Sequence, residues 1–329
     1  MAESSILITG TAGFIGFHLA RHLLAAGHEV IGVDGMTAYY DVNLKRDRLK
    51  ILQASKGYAH HEFMIEEGDR LLRLVEKTQP ATIVHLAAQA GVRYSIENPR
   101  VYVQSNIVGT FNLLETCRSH PPRHLLIAST SSVYGDGVES PSNERSESSQ
   151  PLSLYAATKR ADELMSYAYG HLFGLPQTGL RFFTVYGPWG RPDMAYYSFA
   201  RAIFAGEPIT VYDNGDLKRD FTYVDDIVAG VLGCLDHPPQ ATAGVPPVRV
   251  LNIGNNRAEL VNTLISLLEE GLGKKALVRH APRPAADVEE TFADVAAIGA
   301  LTGYAPTTPL EVGIPRFVAW FRAFHGINT

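Results

Sequence analysis

Short apolar runs alternate with longer amphipathic stretches through the first half of the chain. The short runs have the length of buried strands, and the longer stretches carry apolar positions at helical spacing. Strands separated by helices form βαβ units, so the pattern predicts an α/β fold with a doubly wound parallel sheet. The predicted strands are Ile6–Thr9, Val30–Asp34, Thr82–Leu86 and His124–Ala128, and the predicted helices are Phe14–Ala26, Asp69–Lys77, Arg100–Ser119 and Leu154–Phe173.

The alternation weakens after residue 180, and proline and glycine become more frequent there. We therefore expect a Rossmann-type domain over 1–180 and a smaller, mainly substrate-binding C-terminal domain over 181–329. The apolar segment Leu251–Gly254 is suited to return as a strand, so part of 220–257 is expected to rejoin the main sheet. The polar stretch 135–150 is either a surface excursion or a flap beside a site.

Composition narrows the classes of protein to which this chain can belong. Hydrophobic residues make up 46% and charged residues 19%, as in ordinary globular proteins. The net charge of −5 argues against a nucleic-acid partner, because such partners need basic surfaces. Two widely separated cysteines favour a reducing compartment and give no metal signature. No long apolar run or leader segment is evident, so we expect a cytoplasmic protein without a membrane partner.

A glycine-rich turn joins the first predicted strand to the first predicted helix. Gly10, Gly13 and Gly16 allow a tight turn, a close approach of backbone to a pyrophosphate, and tight packing of helix on sheet. The N-terminus of the helix presents unpaired N–H groups to the phosphates. Asp34 ends the second strand, where a carboxylate accepts a ribose hydroxyl and repels a 2′-phosphate, so NAD is the expected cofactor. The competing interpretation is a structural turn with an incidental aspartate.

Tyr155 and Lys159 are four residues apart in a predicted helix and therefore share one of its faces. A phenol has an unperturbed pKa of about 10, which a nearby ammonium and the positive nicotinamide ring lower. Tyr155 is thereby suited to take a proton from a sugar hydroxyl. Thr130, Ser131 and Ser132 follow the fourth predicted strand, at the sheet edge where ligands bind. Without this context, ordinary packing explains the pair, and a helix cap explains the hydroxyls.

These motifs together resemble the extended branch of the short-chain dehydrogenase/reductase superfamily over nearly the whole chain. Within that branch, the chain is most similar to UDP-glucuronate 4-epimerases. The broader resemblance rests on Gly10/Gly13/Gly16, His85-Leu86-Ala87-Ala88, Asn106, Thr130, Tyr155-x-x-x-Lys159, Arg181 to Pro188 and Arg219 to Asp226. The closer resemblance rests on Tyr39 to Leu49, Gln89 to Ser95 and Tyr186 to Met194.

The motifs and the resemblance together imply a homodimer that binds NAD and a UDP-sugar, without a metal ion. The implied catalytic residues are Thr130, Tyr155 and Lys159. The implied cofactor residues are Gly10, Gly13, Phe14, Ile15, Gly16, Asp34, Asp69, Arg70, Leu86, Ala87, Ala88, Asn106, Tyr155 and Lys159. The implied substrate residues are Arg93, Thr130, Ser131, Ser132, Tyr155, Thr184, Arg191, Arg219 and Arg283.

Several of these roles have structural alternatives. Asn106 is either a cofactor contact or a cap inside a helix, and Arg219 either grips UDP or pairs with the neighbouring aspartate. Arg191 suits bidentate binding of the sugar carboxylate, but it is also placed to pair with Asp193, in which case Arg93 reads the carboxylate. Arg283 stands in a segment whose spacing departs from the family's second phosphate-binding arginine.

The resemblance implies epimerisation of UDP-glucuronate to UDP-galacturonate at C4. Tyr155 takes the O4 proton, NAD accepts the C4 hydride, and the 4-keto sugar turns over before hydride returns to its opposite face. Related dehydratases carry Asp-Glu after the threonine, and related decarboxylases carry Glu at the position of Ser132. Serines at 131 and 132 are poor acids and bases, which favours epimerisation. The alternatives are UDP-glucuronate decarboxylation, UDP-glucose/galactose 4-epimerisation, and a protein that senses NAD without turnover.

Overall fold

A computed structural model describes residues 5–137 and 139–327, so Val138 in the predicted loop 135–150 lies outside the described residues. The strands are β1 (Ile6–Thr9), β2 (Val30–Asp34), β3 (Tyr58–Glu62), β4 (Thr82–His85), β5 (His124–Thr130), β6 (Gln177–Phe182), β7 (Thr184–Tyr186), β8 (Pro208–Tyr212), β9 (Lys218–Tyr223), β10 (Val248–Ile253), β11 (Ala258–Leu260) and β12 (Leu277–Ala281).

The helices are α1 (Phe14–Ala25), α2 (Val42–Gln53), α3 (Gly68–Thr78), α4 (Tyr94–Glu97), α5 (Pro99–Tyr102), α6 (Gly109–Ser119), α7 (Leu154–Phe173), α8 (Ala195–Ala205), α9 (Val224–Leu235), α10 (Val261–Leu272), α11 (Ala296–Thr302) and α12 (Leu310–Phe324). A π-helical stretch, Val103–Val108, joins α5 to α6, and a short 3₁₀ turn, Ser131–Tyr134, follows β5. No helix within 5–137 or 139–327 is long and apolar enough to cross a membrane.

Seven parallel strands form the main sheet in the order β10-β6-β5-β4-β1-β2-β3. The order reverses between β1 and β4, and ligands bind outside the carboxyl ends of the strands at such a switch point. The predicted doubly wound parallel sheet is therefore confirmed. The reversal also places the glycine turn after β1 beside Leu86 and Ala87, which follow β4.

Alternate residues of the central strands enter two separate hydrophobic cores. In β1, Ile6 and Ile8 join the core that contains α1, whereas Leu7 joins the core formed with α3 and α6. Successive side chains of a strand point to opposite faces of a sheet, so helices must cover both faces here. All four residues of β1 are buried accordingly, which explains the uninterrupted apolar run in the sequence.

The second half of the chain adds two smaller sheets. Strands β7, β9 and β11 form one of them, and β8 pairs in parallel with β12 in the other. Strand β10, which contains most of the predicted segment Leu251–Gly254, pairs with β6 in the main sheet. The chain therefore leaves the main sheet after β6, returns to it in β10 and leaves it again. The domain boundary at residue 180 stays a prediction.

Several elements differ from those that the apolar pattern predicts. Strand β3 and helix α2 are not predicted, because β3 is a half-exposed edge strand and α2 is mostly polar. The predicted helix Arg100–Ser119 is interrupted by the π-helical stretch. Strand β5 continues to Thr130, because Ser129 and Thr130 still pair with β6. Strand β4 ends at His85, one residue before the predicted end.

Candidate active site

The glycine turn between β1 and α1 has no room for side chains. A Cβ atom on Gly10 would lie 2.8 Å from the backbone nitrogen of Ala87, and one on Gly16 would overlap the carbonyl oxygen of Gly10. Gly10 also has a φ of +81°, which favours glycine. Helix α1 begins after Gly13 without a side-chain cap, so its first N–H groups are free to bind phosphate. This cradle fits the pyrophosphate of a dinucleotide.

Asp34 ends β2 with its carboxylate fixed beside the glycine turn. One carboxylate oxygen accepts the backbone N–H of Ala12 at 2.9 Å, and the other accepts the backbone N–H of Met36 at 2.8 Å. Each oxygen keeps a second lone pair, so the carboxylate is able to accept ribose hydroxyls as well. The position and the bonds of Asp34 fit the role expected for it from the sequence.

Asp69 and Arg70 lie in the first turn of α3, which follows β3 at the same end of the sheet. Arg70 donates to the carboxylate of Glu67 at 3.1 Å and to the carbonyl oxygen of Glu62 at 3.0 Å. Its guanidinium also lies over the ring of Phe63, 4.8 Å from the ring centre. These contacts hold the start of α3 against the end of β3, next to the strand that carries Asp34.

Thr130 is the last residue of β5 and caps the turn that follows. Its Oγ1 accepts the backbone N–H of Ser132 at 3.2 Å and donates to the hydroxyl of Ser132 at the same distance. Helix α7 packs against this turn and begins after Ser153, whose hydroxyl accepts the N–H of Ala156. The structure thus brings Tyr155, in the first turn of α7, to the end of β5 where Thr130 stands.

Lys159 is almost completely buried one turn beyond Tyr155. Its ammonium group lies 2.6 Å from the carboxylate of Asp162, and both side chains are no more than 2% exposed. Lys159 is predicted from the sequence as a site residue, whereas Asp162 is not. The available signal was the spacing of three residues, which places both side chains on one face of a helix.

Asn106 clamps the loop after β4 to helix α7. Its side-chain oxygen accepts the backbone N–H of Gln89 at 2.8 Å, and its amide nitrogen donates to Gln89 O at 3.1 Å and to Thr158 Oγ1 at 2.9 Å. Both amide hydrogens of this fully buried residue are therefore engaged within the chain. This arrangement favours the structural alternative, in which Asn106 positions the loop that carries Ala87 and Ala88.

Three arginines predicted from distant parts of the sequence come together. Arg93 donates to the carboxylate of Asp287 at 3.1 Å and lies over the ring of Tyr212. Burial lowers the pKa of Arg219; Asp287 opposes that shift, and the nearby charges of Arg283 and Arg93 add to it. The guanidinium groups of Arg93, Arg219 and Arg283 are thus near enough to one another for their charges to interact. Such a cluster is suited to an anion such as a diphosphate.

The contacts of Arg219 differ from the ion pair considered as its structural alternative. Its guanidinium donates to the carbonyl oxygens of Val288 and Glu289. Asp220 is instead fully buried and accepts the backbone N–H groups of Asn255 and Ala293. Arg219 therefore forms no ion pair with Asp220, and Asp220 fastens together three segments of the chain.

Arg283 joins this cluster from the segment after β12. It lies 3.8 Å from the carboxylate of Asp136 and 3.7 Å from that of Asp213. Asp136 belongs to the polar stretch 135–150, so the contact places the beginning of that stretch beside the cluster. Thr184, the other residue expected to contact UDP, begins β7 and pairs with β9 at Phe221.

Arg191 is bound by Asp193 in this structure. Its Nε donates to one carboxylate oxygen at 3.1 Å and its terminal nitrogen to the other at 2.5 Å. The hydroxyl of Tyr39 donates to the same carboxylate at 3.0 Å. The guanidinium group that is predicted to bind the sugar carboxylate is thus already bound to a carboxylate of the chain. This favours the alternative, in which Arg191 forms a local ion pair.

Sequence reasoning misses Arg48, although it lies within the motif that carries the closer resemblance. Its fully buried guanidinium donates to the carbonyl oxygens of Ala12, Trp189 and Gly190 and to the hydroxyl of Tyr40, at distances between 2.6 and 3.1 Å. The residue therefore ties the glycine turn to the loop that carries Arg191. A basic residue at a buried helix position was the signal in the sequence, but its partners are far away along the chain.

Comparison with known proteins bears directly on this site. The profile of the NAD dependent epimerase/dehydratase family matches residues 6–254. The chain belongs to this family. It is accordingly an NAD-dependent enzyme. Among residues 5–137 and 139–327, no cluster of histidine, cysteine and acidic side chains is placed to hold a metal ion.

Relatives of this family match the chain over nearly its whole length. A protein of Rhizobium meliloti (strain 1021), described as a probable UDP-glucuronate 4-epimerase, is 46% identical to this chain. The match covers 96% of each of the two chains. UDP-glucuronate 4-epimerase 1 of Arabidopsis thaliana is 45% identical over 99% of this chain and 78% of its own length.

Two solved structures share the fold. The UDP-glucuronic acid 4-epimerase of Bacillus cereus, in complex with UDP-glucuronic acid and NAD, superimposes with a TM-score of 0.89 at 32% identity, over 97% of this chain and 99% of that one. The UDP-glucose 4-epimerase of Thermotoga maritima, with UDP-glucose, gives a TM-score of 0.87 at 29% identity. That match covers 98% of this chain and 99% of the other.

Proposed function

We propose that this enzyme interconverts UDP-glucuronate and UDP-galacturonate by inverting C4. Two relatives that match nearly the whole chain, at 46% and 45% identity, are described as a probable UDP-glucuronate 4-epimerase and as UDP-glucuronate 4-epimerase 1. The observation that carries the proposal is the turn Thr130-Ser131-Ser132 after β5, which offers hydroxyl groups and no carboxylate beside Tyr155 and Lys159. Such a site suits removal and return of hydrogen at one carbon, without further acid–base chemistry elsewhere in the sugar.

The residues present fit NAD. Gly10, Gly13 and Gly16 leave space for its pyrophosphate, and the carboxylate of Asp34 lies beside them, where it suits the adenosine ribose. The family resemblance assigns Lys159 to the nicotinamide ribose. Phe14 and Ile15 present N–H groups of the first turn of α1, and Leu86, Ala87 and Ala88 form the facing wall. When bound, NAD accepts a hydride from C4 of the sugar and returns it.

Tyr155 acts as the base that takes the proton of the C4 hydroxyl and later gives it back. Lys159, four residues further along α7, lies on the same face of the helix as Tyr155. The hydroxyl of Thr130 bonds to the same sugar oxygen, and Ser131 and Ser132 add hydroxyls beside it. Each proton that leaves the sugar therefore returns to it, so the cycle consumes no external acid or base.

The arginine cluster holds the substrate while the sugar ring turns over. Arg93, Arg219 and Arg283 bring positive charge to one place, and Thr184 begins the strand next to β9, which carries Arg219. These residues grip the diphosphate of UDP, because arginine forms charge-assisted hydrogen bonds with phosphate oxygens. An anchored UDP allows the 4-keto sugar to present either face to the same hydride donor.

Decarboxylation is the second candidate reaction. A 4-keto sugar with a carboxylate at C5 is a β-keto acid and loses CO₂ when the breaking bond aligns with the carbonyl π system. The hydroxyl at Ser132, where related decarboxylases carry Glu, favours epimerisation. Incubation with UDP-glucuronate followed by NMR of the products separates the two reactions. UDP-galacturonate is expected as the main product, and UDP-xylose or a UDP-4-keto-pentose as the main product would overturn the proposal.

We infer that two copies pair through α6 and α7. These helices pack against each other and leave large apolar side chains in solvent, with Phe111, Leu164 and Tyr167 all about half exposed. Leu114, in contrast, is buried in the core of its own chain, so internal packing explains only part of the apolar pattern. Sedimentation analysis of the wild type and of Leu164→Glu tests this pairing, because a charge in the apolar interface disfavours association.

The cytoplasm is the expected location. Cys117 and Cys234 are both buried and unpaired with each other, which suits a reducing compartment. Localisation of a tagged chain in the native cell tests this expectation.

A further inference from the structure

Lys159 and Asp162 form an ion pair in the interior of the protein. The ammonium nitrogen lies 2.6 Å from Oδ2 of the carboxylate, and neither side chain reaches solvent. The other oxygen, Oδ1, is buried without a hydrogen-bond partner among the described residues. Burial raises the pKa of Asp162, and the charge of Lys159 is the strongest factor that opposes this shift, so Lys159 is the main partner of this carboxylate.

The neighbouring carboxylate, that of Glu163, cannot serve as the counterion of Lys159. Glu163 accepts four hydrogen bonds, one from the hydroxyl of Ser129, two from Arg181 and one from Arg160. Although burial opposes it, Arg181 holds the pKa of Glu163 below its usual range. Its charge is already matched by two guanidinium groups, so Asp162 is the carboxylate that serves Lys159.

His85 contributes no charge to the pair. Its ring bonds to the hydroxyls of Thr9 at 2.8 Å and Thr110 at 3.2 Å, and it is completely enclosed. Burial, with a smaller contribution from the charge of Lys159, lowers the pKa of His85 to about 3. It is therefore neutral at physiological pH. The titratable and charged groups around the pair are Tyr155 and Glu163 on α7, His85 on β4, Arg181 on β6 and Arg249 on β10.

We propose that Asp162 is a positioning residue of the active site, which keeps the buried Lys159 positively charged so that Tyr155 works as a base near neutral pH. This inference rests on the proposed function. A buried ammonium group without a counterion tends to give up its proton. If Lys159 loses its charge, the phenolate of Tyr155 loses its stabilising partner, and Tyr155 ionises only at higher pH.

The test compares Asp162→Asn with a matched control, Asp226→Asn. Asparagine keeps the shape of the side chain and removes the charge. Asp226, on α9, is also buried, and its carboxylate accepts backbone N–H groups of Thr307 and Thr308. The control therefore reports what neutralising a buried carboxylate does to the protein in general. Both variants are purified with their bound NAD, and kcat is measured on UDP-glucuronate as a function of pH.

A second measurement needs no substrate. The near-ultraviolet absorbance of tyrosinate is titrated in each protein and in its Tyr155→Phe counterpart, and the difference reports Tyr155 alone. We expect Asp162→Asn to move both the acid limb of kcat and the ionisation of Tyr155 upward by about one to three pH units. Near neutral pH, kcat then falls about tenfold for each unit. The Asp226→Asn control is expected to keep the wild-type profile.

Unchanged profiles in Asp162→Asn, or a shift to lower pH, would overturn the proposal, because Lys159 would then hold its charge without Asp162. If Asp162→Asn does not fold, Asp162→Glu takes its place. Glutamate retains the charge, so the acid limb of kcat is expected at the wild-type pH. An acid limb shifted to higher pH would contradict the proposal. Failure of the wild type to epimerise UDP-glucuronate would refute the proposed function alone, because the tyrosinate titration still decides the role of Asp162.

Discussion

Replacing Arg48 with methionine should loosen the cofactor site from a position outside it. Arg48 lies on α2, and its guanidinium joins the carbonyl oxygen of Ala12 in the glycine turn to those of Trp189 and Gly190. It also donates to the hydroxyl of Tyr40 at 2.7 Å. Methionine fills a similar volume but donates no hydrogen bond, so four acceptors lose their partner while packing is largely kept.

The magnitude follows from those four acceptors. A buried acceptor left without its donor costs about 1 kcal/mol or more, which gives a loss of roughly 4 kcal/mol in the free energy of unfolding. At about 2 °C per kcal/mol for a large domain, Tm falls by roughly 8 °C. Because Ala12 lies in the turn that cradles the pyrophosphate, the purified variant should also retain less NAD.

The matched control is Arg46→Met on the same helix. Arg46 is exposed, and its one side-chain bond reaches Asn43 at 3.4 Å, so its removal should change Tm by little. Thermal unfolding by circular dichroism and NAD released by acid are measured for both variants. If Arg48→Met has the same Tm as Arg46→Met and carries as much NAD as the wild type, the hydrogen bonds of Arg48 do not secure the glycine turn.

Three further substitutions test individual residues. Gly16→Ala places a methyl group against the carbonyl of Gly10 and should cost about 1–3 kcal/mol; NAD should be largely absent from the purified variant, and a full complement would refute the cradle. Tyr155→Phe should retain NAD and lower kcat by about 10²- to 10⁴-fold, so near wild-type kcat would exclude Tyr155 as the base. Arg191→Met should lower kcat/KM equally for UDP-glucuronate and UDP-glucose, because Arg191 is bound by Asp193. A selective loss on UDP-glucuronate would instead assign the carboxylate to Arg191.

The elements that the sequence predicts best are those whose pattern comes from burial on both sides of the sheet. Strands β1 and β2 and helix α7 have the predicted bounds, because apolar runs and the cap at Ser153 fix them locally. Strand β3 is half exposed and takes its conformation from pairing with β2, which no local pattern reveals. Within the π-helical stretch, Asn106 likewise bonds to Thr158, 52 residues away, which no local pattern reveals.

The active site shows the same division between local and distant causes. The glycine turn and Asp34 are predictable, because their chemistry is fixed by spacing within one βαβ unit. The pairing of Arg191 with Asp193 is predictable because the two residues are close in the sequence, but the additional bond from Tyr39 comes from 154 residues away. For Lys159, helical spacing leaves both Asp162 and Glu163 as partners, and the choice depends on Arg181 occupying Glu163.

In the proposed reaction, one carbon of the sugar loses its hydrogen and receives the same hydrogen back on the opposite face. The most direct measurement uses UDP-glucuronate with deuterium at C4, incubated in ordinary water with the purified enzyme and no added NAD. We predict that NMR finds UDP-galacturonate with the deuterium retained at C4. Unlabelled product, turnover that depends on stoichiometric added NAD, or a UDP-pentose as the main product would contradict the account.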